Sequence, residues 1–190
     1  MKRATIKRIS NEINTFISYD ISVMGELLSP AGNLEAFYSA ISNGADAIYL
    51  GLDKFSARAY ANNFTLDSLE ELIKFAHLRN VRIFVTINTI AYDNELDEIY
   101  ETIDRLAQIG TDAIIVQDLA IFHYITNKYS SLEAHVSTQM GIDDVEGAKF
   151  IKELGGTRVV LARETPIDTI KKIKNETGME VEAFIHGALC

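Results

Sequence analysis

The segment Glu133-Ala-His-Val-Ser-Thr-Gln139 places four polar side chains two residues apart. In an extended strand that period puts Glu133, His135, Ser137 and Gln139 on one face. Such a row inside an apolar sheet is costly unless it lines a site or pairs with itself. His135, Ser137 and Gln139 are therefore expected to be catalytic. Taken singly, His135 is as readily a satisfied core histidine, and Ser137 and Gln139 as readily cap the next helix. Arg163 and Glu164 are a second catalytic pair. The arginine can clamp a carboxylate or phosphate at two points, or the two can close an ion pair.

Asn88, Gln117 and Asp118 supply amides and a carboxylate able to orient a polar substrate, and Asp118 also suits a helix N-cap. Arg58 and Tyr60 fall in a long loop from which side chains can reach over a pocket. His186 and Cys190 could be metal ligands or a nucleophile and its base. An isolated cysteine is more often buried and inert, and one thiolate cannot hold an iron–sulfur cluster, which takes about four. No His-Glu-x-x-His helix suggests a zinc protease. His135 and Ser137 lie side by side on one strand, a poor basis for a serine–histidine relay.

These residues need elements to hold them. Apolar runs expected as strands are Glu26–Ser29, Ala47–Gly51, Arg82–Thr86, Ala113–Gln117, Glu133–Ser137, Arg158–Ala162 and Glu180–Ile185. Helical spacing predicts helices near 34–43, 66–79, 94–108, 119–128, 145–154 and 166–177. Thr65, Asp93 and Thr165 are expected N-caps, and Gly44, Gly110, Gly155 and Gly178 sit where helices should stop. A repeat is visible: Gly44-Ala-Asp-Ala-Ile-Tyr-Leu-Gly51 matches Gly110-Thr-Asp-Ala-Ile-Ile-Val-Gln117, and Gly156-Thr-Arg-Val-Val-Leu-Ala162 is a third copy.

Strands apolar on both faces, separated by helices, mean a parallel sheet covered by helices. No glycine-rich phosphate loop follows the first strand, and polar residues end nearly every strand, which favours a barrel over a doubly wound sheet. The expected fold is α/β: a TIM-type (β/α) barrel, incomplete, with about seven of eight βα units and truncated after the seventh strand. Residues 25–190 form this partial catalytic barrel. Residues 1–24 are a basic extension with an amphipathic helical pattern, or precede a true start near Met24. An ordinary barrel takes about 250 residues, so the chain is expected to be the N-terminal part of a longer protein, self-associating through open edges.

Composition narrows the function classes. The chain has 190 residues, 47% hydrophobic and 24% charged, and a net charge of −9. That charge does not attract a phosphate backbone, so this segment alone is a poor candidate for tight nucleic-acid binding. A single cysteine and the absence of a signal or membrane-spanning run fit a cytoplasmic protein.

Several motifs together resemble the collagenase-like peptidase family U32. They are Glu26-Leu-Leu-Ser-Pro-Ala-Gly-Asn-Leu-Glu35, Gly44–Gly51, Phe55-Ser-Ala-Arg-Ala-Tyr60, Ile115-Val-Gln-Asp118, His135-Val-Ser-Thr-Gln-Met140, Val159-Val-Leu-Ala-Arg-Glu164 and Glu182-Ala-Phe-Ile-His-Gly-Ala-Leu-Cys190. The resemblance implies one of two activities. One is peptidase action on a protein substrate. The other, preferred here, is oxygen-independent hydroxylation of a tRNA wobble uridine or an rRNA cytidine, using an iron–sulfur cluster and with prephenate, a small carboxylate, implicated. On that resemblance Cys190 is one cluster ligand, the others lying beyond the chain. Glu26, Arg58, Tyr60, Asn88, Gln117 and Asp118 then bind substrate, and His186 joins the catalytic set. The alternative is an inactive or split fragment that needs a separately encoded half.

Overall fold

A computed structural model describes residues 25–57 and 64–185. The chain alternates strand and helix: β1 (Leu28–Ala31), α1 (Leu34–Ser42), β2 (Ala47–Gly51), α2 (Leu66–His77), β3 (Arg82–Ile87), α3 (Leu96–Gln108), β4 (Ala113–Val116), α4 (Leu119–Lys128), β5 (Glu133–Val136), α5 (Val145–Glu153), β6 (Arg158–Val160), α6 (Ile167–Thr177) and β7 (Glu180–Glu182). Single 3-10 turns lie at Asp93–Glu95 and Thr138–Met140. Among the described residues the seven strands form one sheet in sequence order, every neighbouring pair parallel.

Local chemistry explains the boundaries. Asn33 Oδ1 accepts from the Ala36 amide at 2.8 Å to start α1. Thr65 and Ser68 cap the start of α2 reciprocally, and Asp144 Oδ1 accepts from the Gly147 amide at 2.7 Å to start α5. Gly44 and Gly110, matched in the repeat, both follow helices at φ +88, a conformation that a Cβ disfavours. Two expected caps differ. Asp93 opens a 3-10 turn rather than α3, and Pro166 itself, not Thr165, stands at the N-cap of α6. β1 also runs two residues later than expected, through Pro30. An edge strand tolerates a residue with no amide hydrogen.

The sheet curls. β1 and β6 are five strand spacings apart, about 24 Å in a flat sheet. Yet Arg158 of β6 reaches Glu26, just ahead of β1, at 2.7 Å. Two cores result. The larger lies between sheet and helices, built on Phe37, Leu69, Ile83, Ile103, Ile114 and Phe122. The smaller fills the inside of the curl with Ala47, Phe84, Ala113 and Ile115, flanked by Leu28 and Tyr49. This is the seven-stranded, incomplete TIM-type barrel that the strand pattern implies. Residues 1–24, the extension and its helical pattern, lie outside the described residues.

Candidate functional site

Side chains facing into a parallel barrel stack in layers contributed by alternate strands. At the carboxyl ends of the strands the layer is polar. Asn88, one residue past β3, donates through Nδ2 to Gln139 Oε1 at 2.7 Å, and its own Oδ1 accepts from the Ala57 amide at 3.0 Å. Ser137 donates to the same Gln139 oxygen at 3.3 Å and accepts from the Gln139 amide at 3.3 Å. Gln117 continues the inward face of Ala113 and Ile115 and is half-buried at the rim. Asn88, Ser137 and Gln139 are thus brought into one amide and hydroxyl cluster.

Other expected residues lie outside this cluster, and Asp118 takes the N-cap role its position also allowed. Asp118 caps α4, its Oδ1 accepting from Ala120 N at 2.8 Å and Ile121 N at 3.3 Å. Its second oxygen accepts from Ala91 N at 3.4 Å, tying the loop after β3 to the start of α4. Arg163 lies with its guanidinium carbon 4.3 Å from the centre of the Phe184 ring, while Glu164 is exposed. Arg58, Tyr60, His186 and Cys190 lie outside the described residues.

Glu26 stands at the opposite end of the barrel. The first residues of four strands, Arg82, Glu133, Arg158 and Glu180, face inward there with it and form a charged floor. Arg82 binds Glu133 at 2.7 Å and Glu26 at 3.4 Å. Arg158 binds Glu26 at 2.7 Å and, through Nε, Glu180 at 2.9 Å. Phe84 sits above, its ring centre 4.9 Å from the Arg82 guanidinium carbon and 5.2 Å from that of Arg158.

His135 joins floor and interior. Its Nε2 lies 2.7 Å from Glu133 Oε2, and its ring meets Phe84 edge-on at 4.8 Å. The hydrogen bond from His135, with Arg82 adding to it against burial, holds the Glu133 carboxyl down at about 2. An ionised carboxylate only accepts, so Nε2 carries the proton. Burial pushes the His135 imidazole below its usual range, so it is neutral. Nδ1 is then a buried acceptor with no hydrogen-bond partner among the described residues. Since His135 goes to Glu133 and Ser137 to Gln139, the two do not form a nucleophile–base pair.

Sequence reasoning missed the floor as a unit, and with it Arg82, Arg158, Glu180 and Glu182. It also missed Ser56, buried under the rim and bonded to Thr86 at 2.8 Å. The available signal was a charged residue opening four of the last five strands, β4 with Ala113 being the exception.

Comparison with known proteins decides the family. Residues 32–190 match Peptidase family U32. The chain belongs to that family. It is 46% identical over 165 residues to the 23S rRNA 5-hydroxycytidine C2501 synthase of Escherichia coli (strain K12), covering 87% of this chain and 25% of that protein. It is 35% identical over 184 residues to tRNA hydroxylation protein P1 of Bacillus subtilis (strain 168), covering 96% and 44%. Protease and collagenase names occur among other matched relatives. The chain therefore spans under half the length of these curated relatives. The solved structure of the U32 peptidase Mk0906 superposes with a TM-score of 0.71 at 15% identity, covering 87% of this chain and 70% of that one. At that identity the likeness speaks for the fold.

Proposed function

We propose that this chain is the barrel portion of an RNA-hydroxylating member of family U32, acting on a pyrimidine of tRNA or rRNA. The observation that carries the reading is the 46% identity to an rRNA hydroxycytidine synthase across 87% of the chain. The mouth geometry supports it. Asn88 occupies the carbonyl of Gln139, which leaves the Gln139 side-chain N–H groups as donors on an exposed residue at the mouth. Amides of this kind suit the hydrogen-bonding edge of an unstacked base. The peptidase reading receives no support from Ser137, whose hydroxyl serves Gln139 rather than a base.

With a net charge of −9, the chain is a weak anchor for a phosphate backbone. Backbone contacts are assigned to regions outside it.

The described residues do not fit an iron–sulfur cluster. None is a cysteine, and no group of three or more His, Cys, Asp or Glu among them could hold a metal ion. Cys190 is the one thiolate this sequence offers, against about four in a usual cluster. No step is assigned to a cluster. A cytoplasmic setting belongs to the same proposal, and among the described residues no helix is long and apolar enough to cross a membrane.

The test is deletion of the gene in its host, followed by mass spectrometry of nucleosides from tRNA and rRNA. Loss of a pyrimidine carrying one extra oxygen, restored by complementation, is expected. Unchanged nucleosides in both RNA classes would overturn the proposal.

A further inference from the structure

Below the mouth, the barrel holds more carboxylates than guanidiniums. Arg82 and Arg158 face Glu26, Glu133, Glu180 and Glu182, and Arg158 alone serves three of the four. Glu182 has the weakest claim. Its Oε2 lies 3.7 Å from Arg158 Nη1, beyond hydrogen-bond reach, while Glu26 is at 2.7 Å and Glu180 at 2.9 Å. That oxygen is buried and has no hydrogen-bond partner among the described residues. Glu182 is also the last residue of β7, a three-residue strand that, among the described residues, lies at the sheet edge and pairs only with β6. A largely buried carboxylate with one oxygen lacking a hydrogen bond, on a three-residue edge strand, is an expensive arrangement.

We propose that Glu182 and Arg158 form a proton-operated clasp on β7. With Glu182 protonated, Arg158 bridges Glu26 and Glu180 and holds the two ends of the curled sheet together. With Glu182 ionised, a third carboxylate competes for Arg158 from a largely buried position, and β7 is pushed off the sheet. β7 leads within the chain to residues 186–190, which carry His186 and Cys190, so the clasp controls the strand from which that segment departs.

The sign follows from the surroundings. Facing Glu182 are Arg158 from β6 and Glu26 from ahead of β1, with Glu180 on its own strand. Further round the interior are Arg82, Glu133, His135 and Tyr49. Burial pushes the Glu182 carboxyl up to about 7; Arg158 opposes the rise and Glu26 adds to it. A group whose pKa is raised on folding stabilises most below its unfolded value, near 4.5, and loses that contribution as pH rises to about 7. Glu133, held low, titrates beneath this window.

The test is amide hydrogen exchange on the full 190-residue chain, expressed as protection factors to remove the intrinsic pH effect. β4, interior to the sheet, is the internal reference. The local opening of β7 should rise at least about tenfold between about pH 5 and about pH 7, then level off, while β4 stays constant. Glu182→Gln should abolish the slope and hold β7 as closed at neutral pH as the parent chain is in acid. If that variant does not fold, the parent pH series decides alone. A flat β7 profile in the parent, or an unchanged slope in a folded Glu182→Gln chain, overturns the proposal.

Discussion

Replacing Arg158 with methionine tests whether the charged floor holds the barrel closed. The side chain is only 8% exposed and contacts three carboxylates. Methionine keeps much of the aliphatic volume and removes only the charge and the donors. Breaking a buried pair by deleting one partner costs about 3–5 kcal/mol, because the remaining charge is stranded. The Glu180 contact deserves little of that, since Glu180 is 59% exposed and solvent screens it. Glu26, at 2.7 Å and 24% exposed, carries most of the effect. The low end, about 3 kcal/mol, is therefore expected. In urea denaturation followed by far-ultraviolet circular dichroism, with a slope of about 2 kcal/mol per molar, the midpoint falls by about 1.5 M. Acidification should restore part of the loss, because the stranded carboxylates of the variant then take up protons. A loss below about 1 kcal/mol at neutral pH, or a loss independent of pH, would refute the view that Arg158 ties β6 to the start of β1.

Asp118→Ala should cost about 1–2 kcal/mol in the same denaturation assay, since it leaves the first amides of α4 and the Ala91 amide without their acceptor. Gly51→Ala should cost about 1–3 kcal/mol, because the new Cβ would lie 2.5 Å from Ser56 Oγ and break the Ser56–Thr86 bond; a stability equal to the parent's would show that Ser56 moves freely. Glu133 is held low by His135 and then Arg82, so its contribution is complete above its unfolded value near 4.5 and is lost as pH falls toward 2. Glu133→Gln should therefore flatten the acid limb of a stability-against-pH curve and leave the alkaline limb unchanged.

The barrel was readable because its signals are local. Alternation and continuous apolar runs mark each strand, helical spacing marks each cover helix, and Thr65 and Asn33 mark starts that depend on a few neighbouring amides. The end of β1 was placed too early, at Ser29, because Pro30 ordinarily argues against a strand, and only its position at the sheet edge makes it acceptable. At the mouth, the shared face of His135 and Ser137 was visible from spacing alone. Their partners were not, because Gln139 meets Asn88 only once β3 and β5 lie on one curved surface.

By itself the sequence determined the order of elements, their parallel pairing and the family to which the chain belongs, since these depend on residue types a few positions apart. Tertiary structure decided that Glu26 belongs to the floor rather than the mouth, where Arg158 reaches it across the curl, and that Asn88 meets Gln139. Those contacts join residues on strands distant in the sheet. Their existence depends on the radius of the curl, which is a property of the whole packed sheet and of no single segment.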